Sequence, residues 1–196
     1  MRDMIKMVVV LTVLCAFSGG LLASIRNNTQ ERIEVQQLTF VKGPALKDIF
    51  EGAKNDPIAD RFSLQDGEDD RNFFVALYDD KAPAVALEAY GKGYGGDVGV
   101  MVGINLETDN LLGIGVTTHG ETPGMGAKAK SDPAFAAQFS GMATDNPIKV
   151  SNDGGQVQAI AGATITSRAV SNATTQAVEI YKRLKPEIQE QVKSFK

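Results

Sequence analysis

The 196-residue chain contains one cysteine, one histidine and no tryptophan. Cys15, standing alone, excludes a disulfide within the chain, a cysteine-ligated metal cluster and Cys-x-x-Cys redox chemistry. His119, also alone, excludes a histidine-rich metal site. If such a chain transfers electrons, an organic cofactor is the carrier left to it. The excess of charge of one sign is also small. Lysine and arginine number 20 against 24 aspartates and glutamates, a net charge of −4. With no basic stripe there is no nucleic-acid footprint. The hydrophobic share is 43% and the charged share 22%, so global disorder is excluded. No internal repeat or low-complexity tract interrupts the chain.

One long hydrophobic run is present. Residues 7–25, MVVVLTVLCAFSGGLLASI, carry no charge and follow Arg2 and Lys6. As a helix the run spans about 28 Å, close to the hydrocarbon thickness of a bilayer. A transmembrane anchor is the favoured reading. A cleaved signal peptide is the rival, with the small residues near its end in support. A lipoprotein signal acylated on Cys15 ranks lowest, because the bulky Leu14 precedes the cysteine. Arg2 and Lys6 on one side nearly balance Arg26 and Arg32 on the other, so the positive-inside count is close to a tie. The short N-terminal tail fits a C-terminal domain outside the cytoplasm. The reading divides the chain into a tail (1–6), a transmembrane helix (7–25), a polar linker (26–36) and one domain (37–196). Asn27-Asn28-Thr29 matches a glycosylation pattern, but a solvated linker is the simpler account.

Within the domain the patterns alternate. VQQLTFV (35–41) has strand-like content, and Pro44–Ala53 reads as a short helix with Leu46, Ile49 and Phe50 on one face. Asp66–Asp70 is an acidic turn. Strands are expected at 73–78, 84–90, 100–106 and 111–117, the last two joined by a hairpin loop ETDN. Ser131-Asp132-Pro133 is a helix start. Two further short strands are expected at 148–150 and 156–160. A helix is expected from Ser167 to about Leu184, stopped by Pro186. Strands mixed with few helices make an α+β domain.

Three segments carry possible chemistry. In AIAGATITSRAV (159–170) an apolar stretch enters a turn of small residues, then Thr164, Thr166 and Ser167, then a helix. Hydroxyls at a helix N-terminus form a natural phosphate site, though an ordinary cap would look the same. HGETPGMGAK (119–128) is a glycine- and proline-defined turn after a strand. His119 beside it either bonds a ligand or caps the turn, and the cap is the simpler reading. GKGYGGDVGV (91–100) contains G-x-G-x-x-G without a βαβ context and lacks P-loop spacing, so its role reads as structural.

The GAT-x-T run resembles the flavinylation motif of FMN-binding domains, found in the G subunit of the Rnf complex and the C subunit of the sodium-pumping NADH:quinone reductase. The E-T-P-G loop, the GYGG element, the AFAAQF helix and the single N-terminal span occur in the same order as in that family. The resemblance implies FMN attached through a phosphoester to Thr164, with Thr166 as rival acceptor and Gly162 and Ala163 shaping the turn. It implies Glu121, Thr122 and Met125 as flavin neighbours, Met125 replacing the usual leucine. It further implies a flavin transferase during maturation, other membrane subunits as partners, and a bacterial inner-membrane protein with its domain on the extracytoplasmic side. The role implied is an electron relay in a ferredoxin/NAD complex that moves ions, with no catalytic acid or base. A different membrane oxidoreductase and a flavin-free scaffold are the alternatives. Two positions depart from the motif: Ala161, where serine or threonine is usual, and Gln158, where aspartate is usual.

Overall fold

The computed structural model describes residues 2–79 and 83–195 and divides into two units, Met1–Thr39 and Phe40–Lys196. Met1 of the expected tail and Lys196 at the end of the expected domain lie outside the described residues.

The first unit is dominated by α1, Arg2–Gln36. Its Arg2–Gln30 part is long and apolar enough to cross a membrane. Large apolar side chains are exposed all around it, Phe17 at 69% and Leu22 at 68% among them. A helix that is apolar on every face has no polar side to offer water and suits a lipid surround. The expected polar linker 26–36 is itself helical. The strand expected at 35–41 is absent: Val35 and Gln36 end α1, and Gln37–Lys42 is π-helical. Strand content has an effect only where a neighbouring strand accepts it, and this segment pairs with none.

The second unit is built on a five-stranded antiparallel meander in the order β1-β2-β3-β4-β5. The strands are β1 (Arg61–Asp66), β2 (Asp69–Ala76), β3 (Ala84–Lys92), β4 (Asp97–Asn105) and β5 (Leu111–Val116). Four were expected. The fifth, β1, has the period-2 pattern of a half-covered edge strand, with Phe62 and Leu64 packed against the core. Side chains alternate between the faces, apart from a register shift where Gly103 and Ile104 of β4 pair with β5. Val85, Leu87 and Ala89 of β3 lie opposite Ile104, Val102 and Val100 of β4 on one face. That face is covered by α5 (Thr164–Val192) through Ala169, Val170, Ala173, Ala177 and Tyr181. Each such buried Val, Leu or Ile contributes roughly 1.5–3 kcal/mol. The other face is covered by α2 (Gly43–Ile49), begun by Pro44 and buried through Leu46 and Ile49. Glycine permits the approach: a Cβ at Gly103 would stand 2.2 Å from Ile49 Cγ2.

Helices α3 (Lys128–Ser131) and α4 (Pro133–Ala137) follow the sheet. Asp132 caps α4 as expected, accepting a hydrogen bond from Ala134 N at 3.0 Å. The ETDN segment turns β4 into β5, with Asp109 at a φ of 57°. The two strands expected at 148–150 and 156–160 reduce to one isolated parallel bridge, Val150 to Val157. Residues 151–153 coil there as a 3-10 turn, leaving too little extended chain for a ladder. Helix α5 also differs from expectation. It begins at Thr164 rather than Ser167 and runs through Pro186 to Val192. An interior proline costs about 3 kcal/mol, and burial of Ile188 and Val192, one and two turns beyond Leu184, offsets that cost.

Candidate functional site

The site lies where the first turn of α5 meets two loops. The entering turn is fixed locally. Gly162 takes a φ of 78°, in the left-handed region that glycine adopts without penalty. Ala163 N donates to Ile160 O at 2.9 Å. Ser167 Oγ donates to Ala163 O at 3.0 Å and accepts from Ile160 N at 2.9 Å. Ala163 occupies the N-cap with no side-chain cap bond, so the amides of the first turn, at Thr164, Ile165 and Thr166, have no intrahelical acceptor.

The three hydroxyls of this turn are in different states. Ser167 is fully buried and doubly bonded. Thr166 is 2% exposed and donates to Glu121 Oε2. Thr164 is partly exposed, and among the described residues nothing bonds its Oγ1. It is the free hydroxyl of the three.

The second wall is the loop after β5. Its backbone folds on itself, with Met125 N and Ala127 N both donating to Thr122 O at 3.2 Å. His119 Nδ1 accepts from Glu121 N at 3.3 Å, which is the turn-capping role. The third wall is the turn between β3 and β4. Gly95 packs on Gly120 so closely that a Cβ at Gly95 would stand 2.1 Å from Gly120 O. Glu121 joins all three walls. Its Oε1 accepts from Gly95 N at 2.9 Å, its Oε2 accepts from Thr166, and the Tyr94 amide adds a further donor. Burial pushes the Glu121 carboxyl up, but the bonds from Thr166, Gly95 and Tyr94, together with His119, outweigh it and hold the group below its usual range.

Between these walls lies a cleft of about 500 Å³, lined by Tyr94, Glu121, Thr122, Met125, Gly126 and Gly162–Thr166. All seven residues singled out from the sequence converge on it: Gly162, Ala163, Thr164, Thr166, Glu121, Thr122 and Met125. Three lining residues were not singled out. Tyr94 is 75% exposed and Ile165 48%, and Gly126 floors the cleft. A Cβ at Gly126 would meet Glu121 Oε2 and Thr166 Oγ1 at 2.7 Å. An exposed aromatic between glycines was the available signal for Tyr94. Gln158 and Ala161 are exposed and do not line the cleft.

A family model described as an FMN-binding domain matches residues 93–179, a span that holds every cleft-lining residue. The G subunit of the proton-translocating ferredoxin:NAD(+) oxidoreductase complex of Clostridium ljungdahlii is 31% identical, covering 86% of each chain. The G subunit of the ion-translocating oxidoreductase complex of Shewanella oneidensis is 30% identical over 95% of this chain and 93% of its own. The chain belongs to the G-subunit family of ion-translocating oxidoreductase complexes. Among solved structures, the C subunit of the Na(+)-translocating NADH-quinone reductase from Parabacteroides distasonis superposes with a TM-score of 0.52 at 25% identity, covering 69% of this chain and 73% of that one. Shewanella oneidensis NqrC, at 22% identity and a TM-score of 0.51, shares the fold.

FMN carries a phosphate, a polar ribityl chain and a flat ring, and the cleft of this G-subunit family member has a counterpart for each. The unpaired amides of the first α5 turn, on residues that line the cleft, suit a phosphate. Thr122 and the Thr164 hydroxyl are polar. Tyr94, Met125 and Ile165 offer exposed apolar surface to a ring. At Gly126 any side chain would collide with Glu121 and Thr166, so glycine there lets those two cleft-lining groups meet. The residues present therefore fit the cofactor that the family's domain is named for.

Proposed function

We propose that this chain is the membrane-anchored flavin subunit of an Rnf-type complex that couples electron flow between ferredoxin and NAD to ion movement, and that its FMN is esterified through the phosphate to Thr164. The observation that carries the attachment is the contrast among the three hydroxyls. Thr164 Oγ1 is partly exposed and unbonded at the head of α5, whereas Thr166 and Ser167 are buried and engaged. The protein's own residues hold the phosphate and ribityl chain, shield the ring and fix its position; the redox chemistry belongs to FMN when bound. We assign maturation to a flavin transferase and electron exchange to other membrane subunits. The domain is placed outside the cytoplasm on this reading, where covalent attachment prevents loss of FMN by dilution. A relay needs no catalytic acid or base, and none is assigned.

The complex is inferred from the relatives, which are G subunits of ion-translocating oxidoreductase complexes, one of them a ferredoxin:NAD(+) oxidoreductase, covered over most of their length. A second reading, a component of the sodium-translocating NADH:quinone reductase, draws on the fold shared with the C subunit of that enzyme. Co-purification of the tagged chain from its native membrane separates the two by the proteins that accompany it.

The attachment is tested by co-expression with a flavin transferase, denaturing electrophoresis and in-gel flavin fluorescence. Wild type and Thr166→Val should fluoresce and Thr164→Val should not. A dark wild-type band beside a fluorescent positive control would sink covalent attachment.

A further inference from the structure

Four other carboxylates that pack within this domain are matched to cations. Asp66 faces Arg183 and Arg71, Glu88 faces Lys42, Asp109 faces Lys185 and Asp153 faces Arg168. Glu121 is held differently. It is 6% exposed and lines the cleft, and its hydrogen-bond donors are neutral: the amides of Gly95 and Tyr94 and the hydroxyl of Thr166. Among the described residues no lysine or arginine forms an ion pair with it. His119, from its own loop, also bears on it, with Nδ1 accepting from Glu121 N, so the ring in that arrangement is an acceptor and not a counter-ion. A glutamine would hold the same architecture, with its amide oxygen accepting from Gly95 N and its amide nitrogen donating to Thr166 Oγ1. What the carboxylate adds is a fixed negative charge in a buried wall, where a charge without a counter-ion is costly to keep.

We propose that Glu121 sets the reduction potential of the flavin held in this cleft, its unmatched charge keeping that potential below the value a neutral wall would give. The inference rests on the reading that FMN occupies the cleft. Above neutral pH, two electrons from an external reductant and one proton from water convert the oxidised ring into a reduced ring with one added negative charge. A nearby fixed anion in a water-poor wall opposes that added charge more strongly than bulk water would allow. Glu121 therefore does more than position the Thr166 and Gly95 segments, because positioning alone leaves the potential where an amide would put it.

The test is a dithionite titration at pH 8 of the full chain in detergent, carrying covalent flavin, against a reference dye. Glu121→Gln should raise the midpoint, moving the reduced-to-oxidised ratio at fixed potential about tenfold or more, which is about 30 mV for a two-electron couple. Thr166→Val keeps the charge and removes one of its donors, so its midpoint should fall below wild type. An unchanged or lowered midpoint in a loaded Glu121→Gln overturns the inference and leaves the FMN reading standing. If that variant takes up no flavin, Thr166→Val decides, a lower midpoint supporting the inference and an unchanged or higher one overturning it. Wild type without flavin overturns the FMN reading and the inference with it.

Discussion

Gly91 of β3 rests directly against the backbone of Ala169 in α5: a Cβ at Gly91 would stand 1.9 Å from the Ala169 carbonyl oxygen. The contact fixes how closely the helix that carries Thr164 can lie on the sheet. Gly91→Ala must push that helix away, because the obstacle is backbone and cannot change rotamer. A destabilisation of about 1–3 kcal/mol or more is expected from overpacking. Denaturant unfolding measures it, and flavin loading should drop in parallel because the first α5 turn shifts with the helix.

Thr164 and Thr166 should separate in stability. Thr164→Val removes an unbonded, partly exposed hydroxyl and should leave stability within about 0.5 kcal/mol. Thr166→Val takes a donor from the buried Glu121 carboxylate and should cost about 1–2 kcal/mol. Unfolding curves on flavin-free protein make the comparison, since attachment is then absent from both.

Lys42 lies 2.8 Å from Glu88 Oε2, and the same carboxylate accepts from Tyr90 and Thr117. The Lys42 and Glu88 side chains are 22% and 8% exposed, so the pair is largely out of water. Lys42→Met should destabilise by about 3 kcal/mol by leaving a buried charge without its cation. The double variant Lys42→Met with Glu88→Met should recover most of that loss. A double variant as weak as the single one would show that packing, not charge, sets the cost.

Arg183 donates to both oxygens of Asp66 at 2.8 Å, tying α5 to the β1–β2 turn. The Arg183 bond lowers the Asp66 carboxyl below its ordinary value, against a smaller opposing effect of burial. A lowered folded-state value stabilises above the unfolded value of about 3.9, and that stabilisation is lost as pH falls through the folded value. Wild type should therefore be more stable than Arg183→Met at pH 7, with the gap closing below about pH 4. Thermal unfolding across that range checks the sign.

Much of the site was legible in the sequence. Chemistry alone gave a helix start after small residues and a glycine- and proline-defined turn after a strand, each equally an ordinary cap or loop; the resemblance carried by the GAT-x-T run and the E-T-P-G loop named the residues that converge. Tyr94 carries only the weak signal of an aromatic between glycines, because its place on the cleft depends on a turn packing glycine to glycine at Gly95 and Gly120, a contact between segments far apart in sequence. The sheet was largely readable from alternation at Val85, Leu87, Val100 and Val102. β1 stands outside the strands expected from sequence, although Phe62 and Leu64 alternate with polar neighbours. The errors at 35–41 and at Pro186 share a cause. Local preference was weighed without partners: no strand pairs with 35–41, and the core receives Ile188 and Val192 beyond the proline.

The bracing of α5 has a mechanical consequence. Its 29 residues form a rod of about 43 Å. The rod is pinned near its start by Ser167 and towards its far end by Tyr181 on Asp109, Lys182 on Thr144 and Arg183 on Asp66. A group esterified to the first turn of such a rod has no arm of its own to swing. Any gap between successive electron carriers must then be closed by the domain travelling as a body or by a partner arriving at the cleft. Because the seat itself holds its shape, little reorganisation of the protein need accompany each transfer.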